Sequence, residues 1–187
     1  QRSMSPFIIT GDSGKGKTNV LRILVEQART QGQVFLFDSK NLELYGFKQK
    51  ERVVYIENDA GLTESIELIN SVCIQHKAAF EEYVKTKTDI TPKQYYEQLD
   101  SNYIMVDDMD DLAAKYQMRI KELVSLFTLA AESGFGIVVT HNSSKPKSFD
   151  EFVDARKAGF IHVKDYVENG GHLVGIFCSY TPLELFD

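Results

Sequence analysis

Two cysteines in 187 residues, Cys73 and Cys178, are too few and too far apart for a disulfide framework or for metal-ligand spacing. Both read as core thiols of a chain kept in a reducing compartment. His76, His162 and His172 likewise show no ligand spacing and are assigned no chemistry. Apolar runs are all far too short to cross a bilayer, and there is no signal-peptide pattern. The chain starts at Gln1 without an initiator methionine, so it reads as a piece of a longer protein, with any membrane anchor outside it. Positive charge is in the minority: 21 Lys and Arg stand against 27 Asp and Glu, for a net charge of -6. That sign is the opposite of the basic footprint of a nucleic-acid binder, so no nucleic-acid partner is expected. The short basic pieces Lys85 to Lys87 and Lys145 to Lys147 read as solvated loop charges. Internal repeats and low-complexity segments are absent, and the length fits one α/β domain spanning residues 1–187.

What the chain does have is Gly11-Asp12-Ser13-Gly14-Lys15-Gly16-Lys17-Thr18, a complete Gly-x-x-x-x-Gly-Lys-Thr phosphate loop. Phe7, Ile8 and Ile9 before it read as a short buried strand. Val20, Leu21, Leu24 and Val25 after it fall on one helical face, which gives the strand-loop-helix context this loop requires. Glycines at 11, 14 and 16 allow a curl whose N–H groups converge on phosphate oxygens at a helix N-terminus. In that geometry Lys17 reaches the terminal phosphates, and the Thr18 hydroxyl holds a Mg²⁺ that keeps several of its waters. A nucleoside triphosphate is the expected ligand. ATP with Mg²⁺ is taken as that ligand; no guanine-reading Asn-Lys-x-Asp segment is present, and the choice between ATP and GTP stays open at this point.

Strands and helices then alternate. Gly32 stops the first helix, and Val34 to Phe37 is a continuous apolar run of the buried parallel-strand kind, ending in Asp38-Ser39-Lys40. Tyr45 to Lys50 reads as loop, Val53 to Ile56 as strand, and Leu62 to Val84 as a long amphipathic helix. Thr91-Pro92 caps and opens a short helix before the strand Tyr103 to Val106. One helix is expected from Asp110 to about Gly134, then a strand Ile137 to Thr140. Phe160 to Val163 and Leu173 to Phe177 supply two more strands around Gly170-Gly171. The sum is an open, mostly parallel sheet with helices on both faces.

Tyr103-Ile-Met-Val106 ends in Asp107-Asp108, and the carboxyl end of a strand is where open α/β sheets place ligands. Asp107 would complete the Mg²⁺ shell, and Asp108 would orient an attacking water as the catalytic group. The alternative is that these acids cap the helix that follows, a role that suits Asp110 and Asp111 better than Asp107. Thr140-His141-Asn142 ends the next strand, so His141 or Asn142 could sense a γ-phosphate there; the competing reading is an ordinary strand-to-turn transition.

The phosphate loop, Phe37-Asp38-Ser39-Lys40, Ile104-Met-Val-Asp107-Asp108-Met-Asp-Asp111-Leu112 and Gly136-Ile-Val-Val-Thr140, in this order and spacing, resemble the FtsK/SpoIIIE class of ring-forming motor ATPases. The resemblance covers Pro6 to about Asn142 and is looser beyond. Within the class the chain is most similar to the last ATPase domain of the coupling proteins of type VIIb secretion. That likeness implies a RecA-like P-loop fold and a membrane-anchored parent at the cytoplasmic face of the bacterial cell membrane. It further implies neighbouring ATPase domains and small helical secreted proteins of the WXG type as partners. Active members of the class usually carry Asp-Glu and Thr-Gln-Arg where this chain has Asp107-Asp108 and Thr140-His141-Asn142. The departures leave three outcomes open: a slower motor, an ATP-clamped protein-binding module whose tail around Phe149 to Phe186 recognises a partner, or a site that needs a neighbour's arginine. A DNA translocase domain is the weakest alternative.

Overall fold

Val34-Phe35-Leu36-Phe37 carries apolar side chains to both sides of strand β2 (Gly32–Asp38), and both sides are covered by helices. The computed structural model describes residues 6–39, 43–86, 90–96, 98–99 and 101–143. The strands expected at 160–163 and 173–177, and the basic piece at 145–147, lie outside them.

Five strands, β1 (Phe7–Gly11), β2, β3 (Val53–Ile56), β4 (Ser101–Asp107) and β5 (Gly136–Asn142), form one sheet in the order β1-β5-β4-β2-β3. Every pairing among them is parallel, as the expected open α/β sheet requires. Helix α1 (Lys17–Gln31) buries Leu21 and Val25 with Val34, Leu36 and Met105 on one face. On the other face α2 (Asp59–Val84), α4 (Met109–Lys115) and α5 (Ile120–Glu132) enclose Phe35, Phe37, Ile104 and Val106. Side chains of successive strand residues thus feed opposite cores, which is why these strands are apolar without alternation. Helix α3 (Pro92–Tyr96) opens as expected, with Thr91 Oγ1 accepting the amide of Gln94 at 3.3 Å.

Three expectations are corrected. β1 is not buried: it is the edge of the described sheet, and Phe7 and Ile8 are 44% and 52% exposed. An apolar run fixes the strand but carries no information about which strand borders it. The helix expected from Asp110 to Gly134 is two helices. Tyr116 leaves helical geometry at φ -114°, ψ 37°, and a 3₁₀ turn (Gln117–Arg119) separates α4 from α5. The apolar period runs across this break without glycine or proline to mark it. Arg119 holds the corner by donating from Nε to Glu122 at 2.7 Å and from Nη1 to Thr63 of α2 at 2.9 Å, so a tertiary anchor overrides local propensity. Tyr45–Phe47, expected as loop, forms a single 3₁₀ turn.

Candidate nucleotide and magnesium site

Because all five strands run the same way, their carboxyl ends lie together, and the phosphate loop, Asp38, Asp107 and Asn142 end β1, β2, β4 and β5 on one edge. The loop takes the curl its glycines permit. Gly14 and Gly16 sit at φ 78° and 81°, a left-handed region that other residues enter only under strain. Gly16 is also the N-cap of α1, and no side chain caps this helix end, so its first amides stay directed into the loop. Lys17 bends back over the curl, its Nζ donating to the carbonyls of Gly11 at 2.8 Å and Asp12 at 2.9 Å. The ammonium is therefore held at the mouth of the amide cradle, where an anion would be met by both.

Thr18 is the hinge between the two halves of the site. Its hydroxyl donates to Asp107 Oδ2 at 2.9 Å, across a sequence separation of 89 residues. The other oxygen of Asp107, Oδ1, accepts from the Thr140 hydroxyl at 2.6 Å. Asp107 is 7% exposed, and burial raises its carboxyl above the usual value; the Thr140 and Thr18 hydroxyls pull it back, while Asp38 and Glu43 push it up. A buried carboxylate among acids is costly by itself, and a cation is the natural complement.

Thr18 and Asp107 together offer hard oxygen donors, which suit Mg²⁺. No group of three or more His, Cys, Asp or Glu that could hold a metal exists among the described residues. Bound to Thr18 and Asp107, Mg²⁺ would neutralise charge on β- and γ-phosphate oxygens.

Asp108 is placed differently from its neighbour. It is the N-cap of α4, with Oδ1 accepting the amides of Asp110 at 2.8 Å and Asp111 at 3.4 Å. The capping acid is thus Asp108, and the helix begins one residue earlier than expected; Asp110 and Asp111 donate amides rather than cap. His141, considered as a sensor, turns its Nδ1 to within 2.9 Å of Asp110 Oδ2. Asn142 is buried next to Gly11 in the β1–β5 register. Beyond it Ser143 donates its amide to the Gly11 carbonyl at 3.2 Å and its hydroxyl to Asp12 Oδ1 at 2.8 Å, tying the end of β5 to the phosphate loop. Ser13, Gly14 and Lys15 complete the loop, with the Lys15 amide on the Asp12 carbonyl at 3.3 Å.

The partners of three further residues are not readable from sequence. Thr140 was grouped with the strand end but not placed on Asp107. Ser143 carried no signal beyond being a turn residue. Asp38, 2% exposed, pairs in register with Asp107 and accepts from Tyr55 Oη at 2.7 Å and the Leu44 amide at 3.1 Å. Its position at a strand end was legible, its partners were not.

Known proteins bear on this geometry as follows. No protein-family profile matches the sequence. A 40-residue stretch is 45% identical to the putative dehydratase subunit YjiM of Escherichia coli K12, covering 21% of this chain and 10% of that protein, too short a span to speak for fold or activity. The structure is similar to the cytoplasmic domain of EssC with a TM-score of 0.64, at 21% identity over 82% of this chain. The fold is that of the EssC ATPase domains. Similarity extends to the pCW3 conjugation coupling protein TcpA, determined with ATPγS, with a TM-score of 0.52 at 15% identity over 78% of the chain. It extends also to ATPases 2 and 3 of Thermomonospora curvata EccC in complex with a signal sequence peptide, with a TM-score of 0.50 at 18% identity over 74% of the chain. The chain spans 29%, 44% and 25% of those three proteins. The RecA-like P-loop fold expected from sequence is therefore the observed one. No helix among the described residues is long and apolar enough to cross a membrane.

Proposed function

We propose that the chain is a Mg²⁺-ATP-binding domain of a type VII secretion motor or coupling protein. In this reading residues 1–187 form one FtsK-type ATPase domain of a larger, membrane-anchored parent, held at the cytoplasmic face of the membrane by the rest of that protein. The observation that carries the nucleotide half is the Thr18–Asp107 hydrogen bond, which brings the phosphate loop and the β4 acid together as one oxygen-donor site. The secretion half is supported by the likeness to EssC and EccC, one of which is described in complex with a signal sequence peptide. Its partners are other ATPase domains of the same chain or ring and small helical WXG-type substrates. Nucleotide state acts through the loop residues tied to the strand ends, biasing contacts with those partners.

A second reading has its own observation. Asp108, the group proposed to orient water, already caps α4 through Oδ1, and a domain with that acid engaged could use ATP as a clamp without turnover. The net charge of -6 weighs against the DNA-translocase reading.

The test is ATP affinity with Mg²⁺, and turnover, on the chain and on Lys17→Ala. Removing the ammonium should weaken ATP at least about tenfold, because a charge-assisted phosphate contact is lost. Unchanged affinity refutes the nucleotide site. Lys17-dependent turnover supports the motor; tight binding without turnover supports the clamp.

A further inference from the structure

We infer that Thr140 is a positioning residue for the magnesium-holding carboxylate, fixing Asp107 so that its free lone pairs face the phosphate loop. The inference rests on the nucleotide reading above and adds to it a residue outside the loop and outside β4.

Asp107 has two oxygens and each has its own hydroxyl donor: Thr18 on Oδ2 and Thr140 on Oδ1. The two donors differ in kind. Thr18 belongs to the loop and is itself a candidate cation ligand, so its bond to Asp107 is shared with the ligand site. Thr140 is 0% exposed on β5, the strand lodged between the loop strand β1 and β4. It pairs in register with Ile9 of β1, two residues before the loop opens at Gly11. It meets the site through the carboxylate of Asp107. The 2.6 Å contact is short, as a hydroxyl donating to an ionised carboxylate should be. As a β-branched residue in a strand, Thr140 also has little freedom about χ1, so the position of its Oγ1 is held by the backbone of β5. Without it, Oδ1 would be a buried carboxylate oxygen lacking this donor, and the carboxylate would be free to turn about its Cβ–Cγ bond toward another.

Second-layer partners of this kind typically matter about 10–100-fold in metal affinity. The experiment therefore reads Mg²⁺, not hydrolysis. ATP affinity of the 187-residue chain is measured in EDTA and across a Mg²⁺ titration for the unsubstituted protein, Thr140→Val and Thr140→Ser. Thr140→Val should keep its affinity for ATP in EDTA but need about 10–100-fold more Mg²⁺ to reach the same enhancement. Thr140→Ser keeps the hydroxyl and should recover most of the Mg²⁺ response. Mn²⁺ binding in the presence of ATP, followed by its paramagnetic resonance, should shift in the same order. Should Thr140→Val not fold, Thr140→Ala gives the same comparison against Ser. A Val or Ala variant with the original Mg²⁺ dependence overturns the inference, and so does a Ser variant that behaves like Val, since packing would then explain both. If the unsubstituted chain binds ATP without any Mg²⁺ enhancement, this inference falls while the nucleotide reading stands. If it does not bind ATP at all, both fall.

Discussion

The carboxylate of Asp108 accepts the amide of Asp110 at 2.8 Å, so the acid that directly follows β4 is the cap of α4. Asparagine caps almost as well as aspartate, whereas alanine does not. Asp108→Asn is therefore expected to melt close to the unsubstituted protein and to keep ATP binding, while Asp108→Ala loses about 1 kcal/mol. Urea midpoints and ATP titrations check this. Loss of binding in the Asn variant would place Asp108 in the metal shell, and loss of turnover alone would support its part in orienting water.

Gly32 ends α1 and starts β2 with no linker between them, and a Cβ on it would lie 1.5 Å from the carbonyl oxygen of Ser101 on β4. The neighbour is backbone in a ladder and cannot swing aside. Gly32→Ala should destabilise by about 3 kcal/mol or more, against little change for Gly46→Ala, where the added atom meets nothing within 4 Å. Comparable denaturation midpoints for the two would contradict the close approach.

Tyr55 donates to the buried carboxylate of Asp38 at 2.7 Å, and burial, then the Asp38 bond and charge, raise its phenol above the usual value. The neutral phenol is the form the fold prefers. Its contribution to stability is complete below the ordinary tyrosine value of about 10 and is lost as pH climbs above it, because the unfolded chain then releases a proton that the folded chain keeps. Tyr55→Phe should cost about 1–3 kcal/mol near neutrality and unfold less steeply with pH above about 10. A variant with the alkaline profile of the original would dismiss this account.

Tyr116, at the break between α4 and α5, is 5% exposed, and its hydroxyl has no hydrogen-bond partner among the described residues. Burial pushes its phenol up to about 12. Tyr116→Phe deletes an unsatisfied polar atom without opening space, so stability should rise by about 1 kcal/mol. A fall in thermal midpoint would mean that the hydroxyl does have a partner.

The curl of the phosphate loop, the position of all five described strands and the place of Asp107 at the end of one of them are legible in sequence, because these rest on local patterns: glycine spacing, apolar runs, and acids at a strand end. Sequence fails where the deciding contact is distant. Nothing within Phe7-Ile-Ile announces that β1 lies at an edge. Nothing within Lys115 to Ile120 announces that Arg119 will be anchored to Thr63 and Glu122 and so divide a continuous apolar period. For Asp108 sequence leaves two roles open, water orientation and helix cap, and the structure shows the cap. One residue type stands at adjacent positions, and only the direction of each carboxylate separates Asp107, which faces Thr18 and Thr140, from Asp108, which caps α4.

The placing of β5 between β1 and β4 has a consequence for how the chain is made. Among the described residues β1 pairs with β5 alone, and its partners there are residues 138–142. On a ribosome the loop strand emerges first and its ladder last, so β2, β3 and β4 can assemble while β1 still waits. Thr18 itself lies on α1, which packs on β2 and β4, but the strand that leads into its loop is joined to β4 only through β5 among the described residues. A nascent chain halted before residue 136 would hold the whole phosphate loop and both acids without the strand that seats β1 beside them.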